Sequence, residues 1–410
     1  MSVLNPSKDF DSSNMSKMSF PYDQADRTDF RDAKFGDKIF LGAGELQGEN
    51  NQTYKFEVVK KAEEKMATQT WSEDYLPPEG DKEFICLARD FLFGVKNIEE
   101  KLGKKIVSFQ TIGATGAVRL AFSFIKKYMD GKVLIPRPTW PLAKMIAEEV
   151  GMSFEEFDFF DAGNQEIKFD NLMNILKSAP NKSFLFMQDI ANIPGGTDMT
   201  MDQWTKILNV IKERQMGVII DSAFQGFSTG DFETDSQVIR LLLQENVPFF
   251  IAQTFSKTLG LYGERIGCLH VNLFEDAEKI KSCLEEKARL LWLSPNVHGA
   301  RIVKTILQDP GLMKLWKDEF LQIYSRIKEN RQILQDALIK NGVRGKWDNL
   351  TKQNGMFIFL PFNSQQIGLM KEKYHLYNLD FCKINLSSLN KNDIERLVRG
   401  IKEASENPGQ

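Results

Sequence analysis

The stretch Phe249-Phe-Ile-Ala-Gln-Thr-Phe-Ser-Lys257 decides how this sequence is read. Its first residues are apolar on consecutive positions, the pattern of a strand covered on both faces. The run then delivers Thr254, Ser256 and Lys257 to the C-terminal end of that strand. Upstream, Gly217-Val-Ile-Ile220 has the same texture and ends on Asp221. Further strand-like runs cover Lys132 to Ile135, Ser183 to Met187 and Ile266 to Val271. Amphipathic helical patterns alternate with them at Ala117 to Met129, Met201 to Arg214 and Asp235 to Gln244. Such alternation predicts an α/β fold of parallel strands joined by crossover helices.

The texture changes beyond about residue 310. Gly311 to Asn341 is a long charged stretch with Leu312, Leu315, Trp316, Phe320, Ile323, Ile327 and Leu334 on a recurring helical face. Gly355 to Leu360 reads as a strand and Asn390 to Ala404 as a closing helix. Residues 1 to 25, rich in Ser, Asp, Asn and Met, read as a flexible arm. The expected division is a large domain over 51–310 and a smaller α+β domain built from 26–50 and 311–410.

Composition excludes several functions. The 410 residues carry 53 Lys and Arg against 56 Asp and Glu, so the surface has no basic excess to attract nucleic acid. The three histidines, His270, His298 and His375, are scattered and form no H-E-x-x-H zinc motif. Cys86, Cys268, Cys283 and Cys382 are widely spaced without a C-x-x-C pair, which fits a reducing compartment. No G-x-S-x-G elbow is present. Asp9 and Asp11 lie in the first twenty residues with no long apolar run, against a secretory signal. Apolar stretches such as Val247 to Ala252 fall far short of the ~20 residues that span a membrane. A cytoplasmic protein is expected.

Three local features carry candidate chemistry. Gly113-Ala-Thr-Gly116 lies between an extended run and a helix, either an anion site at a helix N-terminus or a plain glycine-rich turn. Asp221 at a strand end is either a partner for a cationic ligand or a local cap. Lys257 is either a surface charge or a desolvated amine able to form a Schiff base.

Taken in order, the Gly-rich turn, Pro138-Thr-Trp140, Asp221-Ser-Ala-Phe-Gln-Gly-Phe227, Ser256-Lys257 and Tyr262-Gly-Glu-Arg265 resemble the aspartate aminotransferase family. Leu41-Gly-Ala-Gly44, Asp74-Tyr-Leu-Pro77, His298-Gly-Ala-Arg301 and Gly355-Met-Phe357 extend the resemblance over about residues 35 to 400. It implies a fold type I enzyme that uses pyridoxal 5'-phosphate (PLP) to exchange amino groups between aspartate or glutamate and 2-oxo acids. Lys257 then corresponds to the lysine that holds PLP and shuttles the substrate proton. Asp221 corresponds to the partner of the pyridine nitrogen, and Trp140 to the indole stacked on the ring. Ala114, Thr115, Thr254 and Arg265 match the phosphate cup. Gly44 and Trp140 fall among the substrate contacts. Tyr75 and Arg289 match a phosphate ligand and a side-chain carboxylate receptor lent by the other subunit, so a homodimer with shared active sites is implied.

Four positions depart from the family pattern. Ile193, in Asn192-Ile-Pro-Gly-Gly196, and Phe224 stand where an asparagine and a tyrosine donate to the cofactor's phenolic oxygen. A buried oxygen left without donors costs roughly 1–3 kcal/mol. Lys383 replaces the arginine that grips the α-carboxylate, losing a planar two-pronged donor. Ala143 replaces a histidine that supports the aspartate. Two readings follow: a working PLP-dependent aminotransferase, or a catalytically impaired member of the fold kept as a structural or binding subunit of a larger assembly.

Overall fold

Six consecutive buried residues at Gly217–Ser222 and another six at Phe249–Thr254 form the middle of a seven-stranded sheet. The computed structural model describes residues 30, 38–42, 44–48, 52–102, 106–377 and 383–407, with the side chains of residues 99 and 102 excepted. The arm expected over residues 1–25 lies outside the described residues. In chain order the strands are β1 (Val107–Ile112), β2 (Val133–Arg137), β3 (Phe154–Asp158), β4 (Phe184–Gln188), β5 (Gly217–Ser222), β6 (Phe249–Thr254) and β7 (Ile266–Asn272). Across the sheet their order is β1-β7-β6-β5-β4-β2-β3.

The pairs from β6 through β3 are all parallel, as the alternating pattern predicted. The exception is β7, antiparallel to both neighbours. Its cause is the short Phe255–Arg265 connection, which leaves no room for the dozen or more residues of a crossover. That same tight return carries Lys257 and Arg265.

Both faces of the sheet are covered. Val218, Ile220 and Ile251 point into one apolar cluster with Trp204, Leu208 and Leu242. Ile219, Phe250 and Ala252 point into another with Val118, Phe122 and Ile125. This two-sided burial explains the unbroken apolar runs. A third cluster joins Phe255 and Leu259, beside Lys257, to Trp316, Phe320 and Ile323 of the long Pro310–Lys340 helix. Asp309 caps that helix by accepting from the N–H groups of Gly311 and Leu312, with Pro310 in its first turn. The Trp316 indole N–H donates to the Thr258 carbonyl at 2.7 Å, clamping the turn that follows Lys257.

The two ends of the described chain meet. Ile39–Phe40 runs parallel to Leu376–Tyr377, in register with Leu376 and Tyr377. Phe357–Phe359 pairs antiparallel with Lys383–Asn385. The Asn385 N–H donates to the Leu41 carbonyl at 2.7 Å and the Gln47 N–H to the Ser387 hydroxyl at 3.0 Å. These contacts carry the loop after Phe40 across to the ends of β5 and β6.

Candidate active site

Parallel register places Gln188 beside Asp221, and Asp221 beside Ala252, at the C-terminal edge of the sheet. Ligands of open α/β sheets bind at this edge. A cavity of about 370 Å³ opens there. It gathers Asp221, Thr254, Lys257 and Arg265 from the strand ends, and Ala114, Thr115 and Trp140 from the segments after β1 and β2. Gly44, Ile193, Phe224 and Lys383 complete the set of sequence-predicted residues that meet in it.

Lys257 reaches the cavity through its ammonium, which donates to the Gly44 carbonyl at 2.7 Å and sits 4.7 Å from the centre of the Tyr262 ring. Desolvation pulls it down to about 8; Lys383 and Arg265 act in the same direction, while Glu45 and Asp221 oppose it. An amine in that range is free often enough near neutrality to act as a nucleophile and base.

Asp221 is 4% exposed. Its Oδ2 accepts from the Gln188 amide at 3.5 Å, and its Oδ1 has no hydrogen-bond partner. Burial pushes the carboxyl up to about 7, against the Gln188 hydrogen bond and the charge of Lys257. A buried carboxylate oxygen without a donor is costly, so this site calls for a cationic N–H. Gln188 is itself fixed, because its Oε1 accepts the Ile193 N–H at 2.7 Å.

The opposite end of the cavity suits an anion. The Gly113–Tyr128 helix starts directly after β1 with no side-chain cap, leaving its first N–H groups without helical partners beside Ala114 and Thr115. Gly113 has φ +72°, and a Cβ there would lie 2.6 Å from an Arg265 guanidinium nitrogen, so only glycine lets the cation settle against the turn. Arg265 donates to the Ser256 hydroxyl at 3.4 Å and the Tyr262 carbonyl at 3.1 Å. Ser256 and Thr254 share a hydrogen bond of 2.9 Å. Hydroxyls, free N–H groups and a guanidinium form a cradle for a phosphate dianion.

A third wall is apolar. Ile193, Phe224 and Phe357 line it, and Phe224 stacks edge-on against Phe357 at 6.2 Å. Lys383, 9% exposed, lies 4.6 Å from the centre of the Phe357 ring. Burial pulls its ammonium down to about 8, with Glu45 opposing.

Three expected site residues do not line the cavity. Ala143 is buried behind Trp140 in the core. Tyr75 is 87% exposed and Arg289 lies exposed on the Ala277–Leu291 helix. Conversely, Ser256, Tyr262 and Glu45 line the cavity without having been singled out as site residues. Gln188 was missed too, although its place at the end of the strand beside Asp221 was available from the pattern of parallel strands.

Residues 36–401 match the family model for aminotransferase class I and II. A chloroplastic aspartate aminotransferase of Arabidopsis thaliana is 36% identical over 378 residues, covering 91% of this chain and 83% of that protein. A cytoplasmic aspartate aminotransferase of Dictyostelium discoideum is 34% identical over 371 residues, covering 90% and 84% respectively. The solved structure of the cytoplasmic aspartate aminotransferase of Saccharomyces cerevisiae superposes with a TM-score of 0.91 at 27% identity, covering 96% of this chain and 98% of that one. With the resemblance read from the motifs and the cavity built at the sheet edge, these matches show that the chain belongs to the class I and II aminotransferases.

Proposed function

We propose that the chain transfers amino groups between aspartate or glutamate and 2-oxo acids, with PLP held in the cavity at the sheet edge. The observation that carries this reading is the pairing of an unpartnered, buried Asp221 Oδ1 with a desolvated Lys257 in one cavity. The names of the matched relatives support the same substrates.

The residues present fit the cofactor at three points: a partner for a protonated ring nitrogen at Asp221, an amine at Lys257, and an anion cradle around Arg265. When bound, PLP supplies a ring that accepts the electrons left when the substrate α-proton departs. Lys257 would hold the cofactor through its Nζ, and the same amine would take up and return the substrate α-proton. In either role the amine would leave its hydrogen bond to the Gly44 carbonyl. Asp221 holds the proton on the ring nitrogen, and Gln188 keeps the carboxylate oriented. Thr254, Ser256, Arg265 and the helix N–H groups of Ala114 and Thr115 would hold the phosphate, and Trp140 would pack against the ring. Lys383 attracts the substrate α-carboxylate.

A homodimer completes this site. Tyr75, Leu290 and Leu293 are 87%, 75% and 56% exposed, and with Arg289 they form surface suited to a second copy that lends Tyr75 and Arg289 to its neighbour's cavity. Residues 51–310 serve as the cofactor-holding domain and 26–50 with 311–410 as the smaller one; the pairing of Ile39–Phe40 with Leu376–Tyr377 supports joining the two chain ends. Cys86, Cys268 and Cys283 are unpaired thiols, which fits a cytoplasmic setting. Among the described residues no helix is long and apolar enough to cross a membrane. The alternative of an impaired structural subunit gains no support: each matched relative reported above is named as an aminotransferase.

The test is a coupled assay. Protein loaded with PLP and supplied with L-aspartate and 2-oxoglutarate should form oxaloacetate and glutamate in equal amounts. Absence of both products at high enzyme concentration sinks the reading.

A further inference from the structure

The loop after Phe40 brings a charge into the cavity that the proposed chemistry does not use. Glu45 lines the cavity together with Lys257 and Lys383. Its backbone is fixed beside Lys383: the Asn385 side-chain amide, two residues beyond Lys383, donates to the Glu45 carbonyl at 2.8 Å. The adjoining hydrogen bonds from Asn385 N–H to Leu41 and from Gln47 N–H to Ser387 lock the loop to the Lys383–Asn385 strand and the turn that follows it. Glu45 and Lys383 therefore travel as one unit.

Resting on the function proposed above, we infer that Glu45 is an internal competitor for Lys383, so that a substrate carboxylate binds by displacing it. The charges favour this arrangement. Glu45 supports the charged form of Lys383 against burial, and it does the same for Lys257. Lys383 also lies over the face of Phe357, which attracts a cation. A lysine is a compact charge on a flexible stem, able to turn from one carboxylate to another. Lys383 and Glu45 together make a subsite of no net charge, where an unopposed cation would attract an incoming carboxylate. Glu45 thus sets how tightly carboxylate substrates are held, and it discriminates most against those with a single carboxylate, which depend on this subsite alone.

The experiment measures binding of succinate, a dicarboxylate with no amino group to transfer, by calorimetry on PLP-loaded protein. Glu45→Gln should tighten succinate about tenfold, the size of a net hydrogen bond to a charged group. Glu45→Ala should act in the same direction and serves if the glutamine variant does not fold. In a Lys383→Met background the gain should vanish, because the competitor then has nothing to compete for. Unchanged or weaker binding in Glu45→Gln, or an equal gain in the Lys383→Met background, overturns the inference. The same titration without PLP keeps the test separate from the cofactor reading. If no covalent absorbance band forms on loading but Glu45→Gln still tightens succinate only when Lys383 is present, the cofactor reading fails while Glu45 keeps its role.

Discussion

The two ends of the cavity differ in chemistry. Around Arg265, Ser256 and Thr254 each polar side chain has a partner, and the helix starting at Gly113 adds free N–H groups. Ile193, Phe224 and Phe357 themselves offer no side-chain donor, and the Lys383 ammonium is the charge beside them. A phosphate is held by many modest, preorganised contacts, so that end tolerates little change. On the proposed function the apolar wall would meet a part of the cofactor also held by other contacts, so a lack of donors there would shift a titration without releasing the ring. The departures from the family pattern at Ile193, Phe224 and Lys383 fall on the second end, while Lys257, Asp221 and Arg265 are retained.

That contrast can be broken at several points. Lys257→Ala removes both the covalent attachment and the proton carrier. Transamination should fall by roughly 10⁴-fold or more, measured in the coupled assay, because covalent and acid–base contributions are lost together. A loss under tenfold would mean that the polar end does not carry the chemistry. Asp221→Ala should lower kcat by roughly 10²–10³-fold, the usual size for losing one preorganised electrostatic partner.

The apolar wall should respond in titration more than in rate. The double change Ile193→Asn and Phe224→Tyr supplies donors to the cofactor's phenolic oxygen. Donors favour the state in which the neighbouring Lys257-linked nitrogen has lost its proton, so its pKa should fall. One donor contributes about 1 kcal/mol, close to one pKa unit, and two should move the midpoint by about one to two units in a spectroscopic pH titration. A midpoint that stays in place would show that these residues do not face the phenolic oxygen.

The cofactor-free protein offers a pH test at the polar end. With the ammonium of Lys257 pulled down to about 8, the free-amine fraction rises with pH and levels off above that value. Covalent capture of PLP should then speed up about tenfold between pH 7 and 9 and flatten beyond. An increase that continues toward pH 10.5 would indicate an ordinary exposed lysine. The smallest effect is expected for Lys383→Arg. Its planar fork can serve Glu45 and substrate together, so KM for aspartate should drop about two- to fivefold with kcat little changed.

Much of the framework was legible because buried parallel strands leave unbroken apolar runs, as at Gly217–Ser222 and Phe249–Thr254. The edge strand Phe154–Asp158 was not, since Phe-Glu-Glu-Phe-Asp carries three charged residues in five and has neither an apolar run nor a regular alternation. Glu155 pairs with Lys132, and Glu156 with Lys144 at 2.8 Å. The Gly113–Tyr128 helix begins four residues before its predicted start, because Ile112 and Gly113 give no capping signal. Asp221 and Lys257 were visible as polar ends of apolar runs. Glu45 was not, since its place depends on contacts such as Gln47 with Ser387, 340 residues apart in sequence. Ala143 offers Asp221 no hydrogen bond; Gln188, from the neighbouring strand, donates to its Oδ2 at 3.5 Å and leaves Oδ1 without a partner.

The most direct measurement is the absorbance spectrum of PLP-loaded protein titrated with L-aspartate. A near-ultraviolet or visible band from cofactor bound to Lys257, converting to a different band as aspartate is added and returning with 2-oxoglutarate, is the expected result. A protein that forms no such band, or whose band is indifferent to saturating aspartate and glutamate, would contradict the assignment of Lys257 and Asp221 to amino-group transfer.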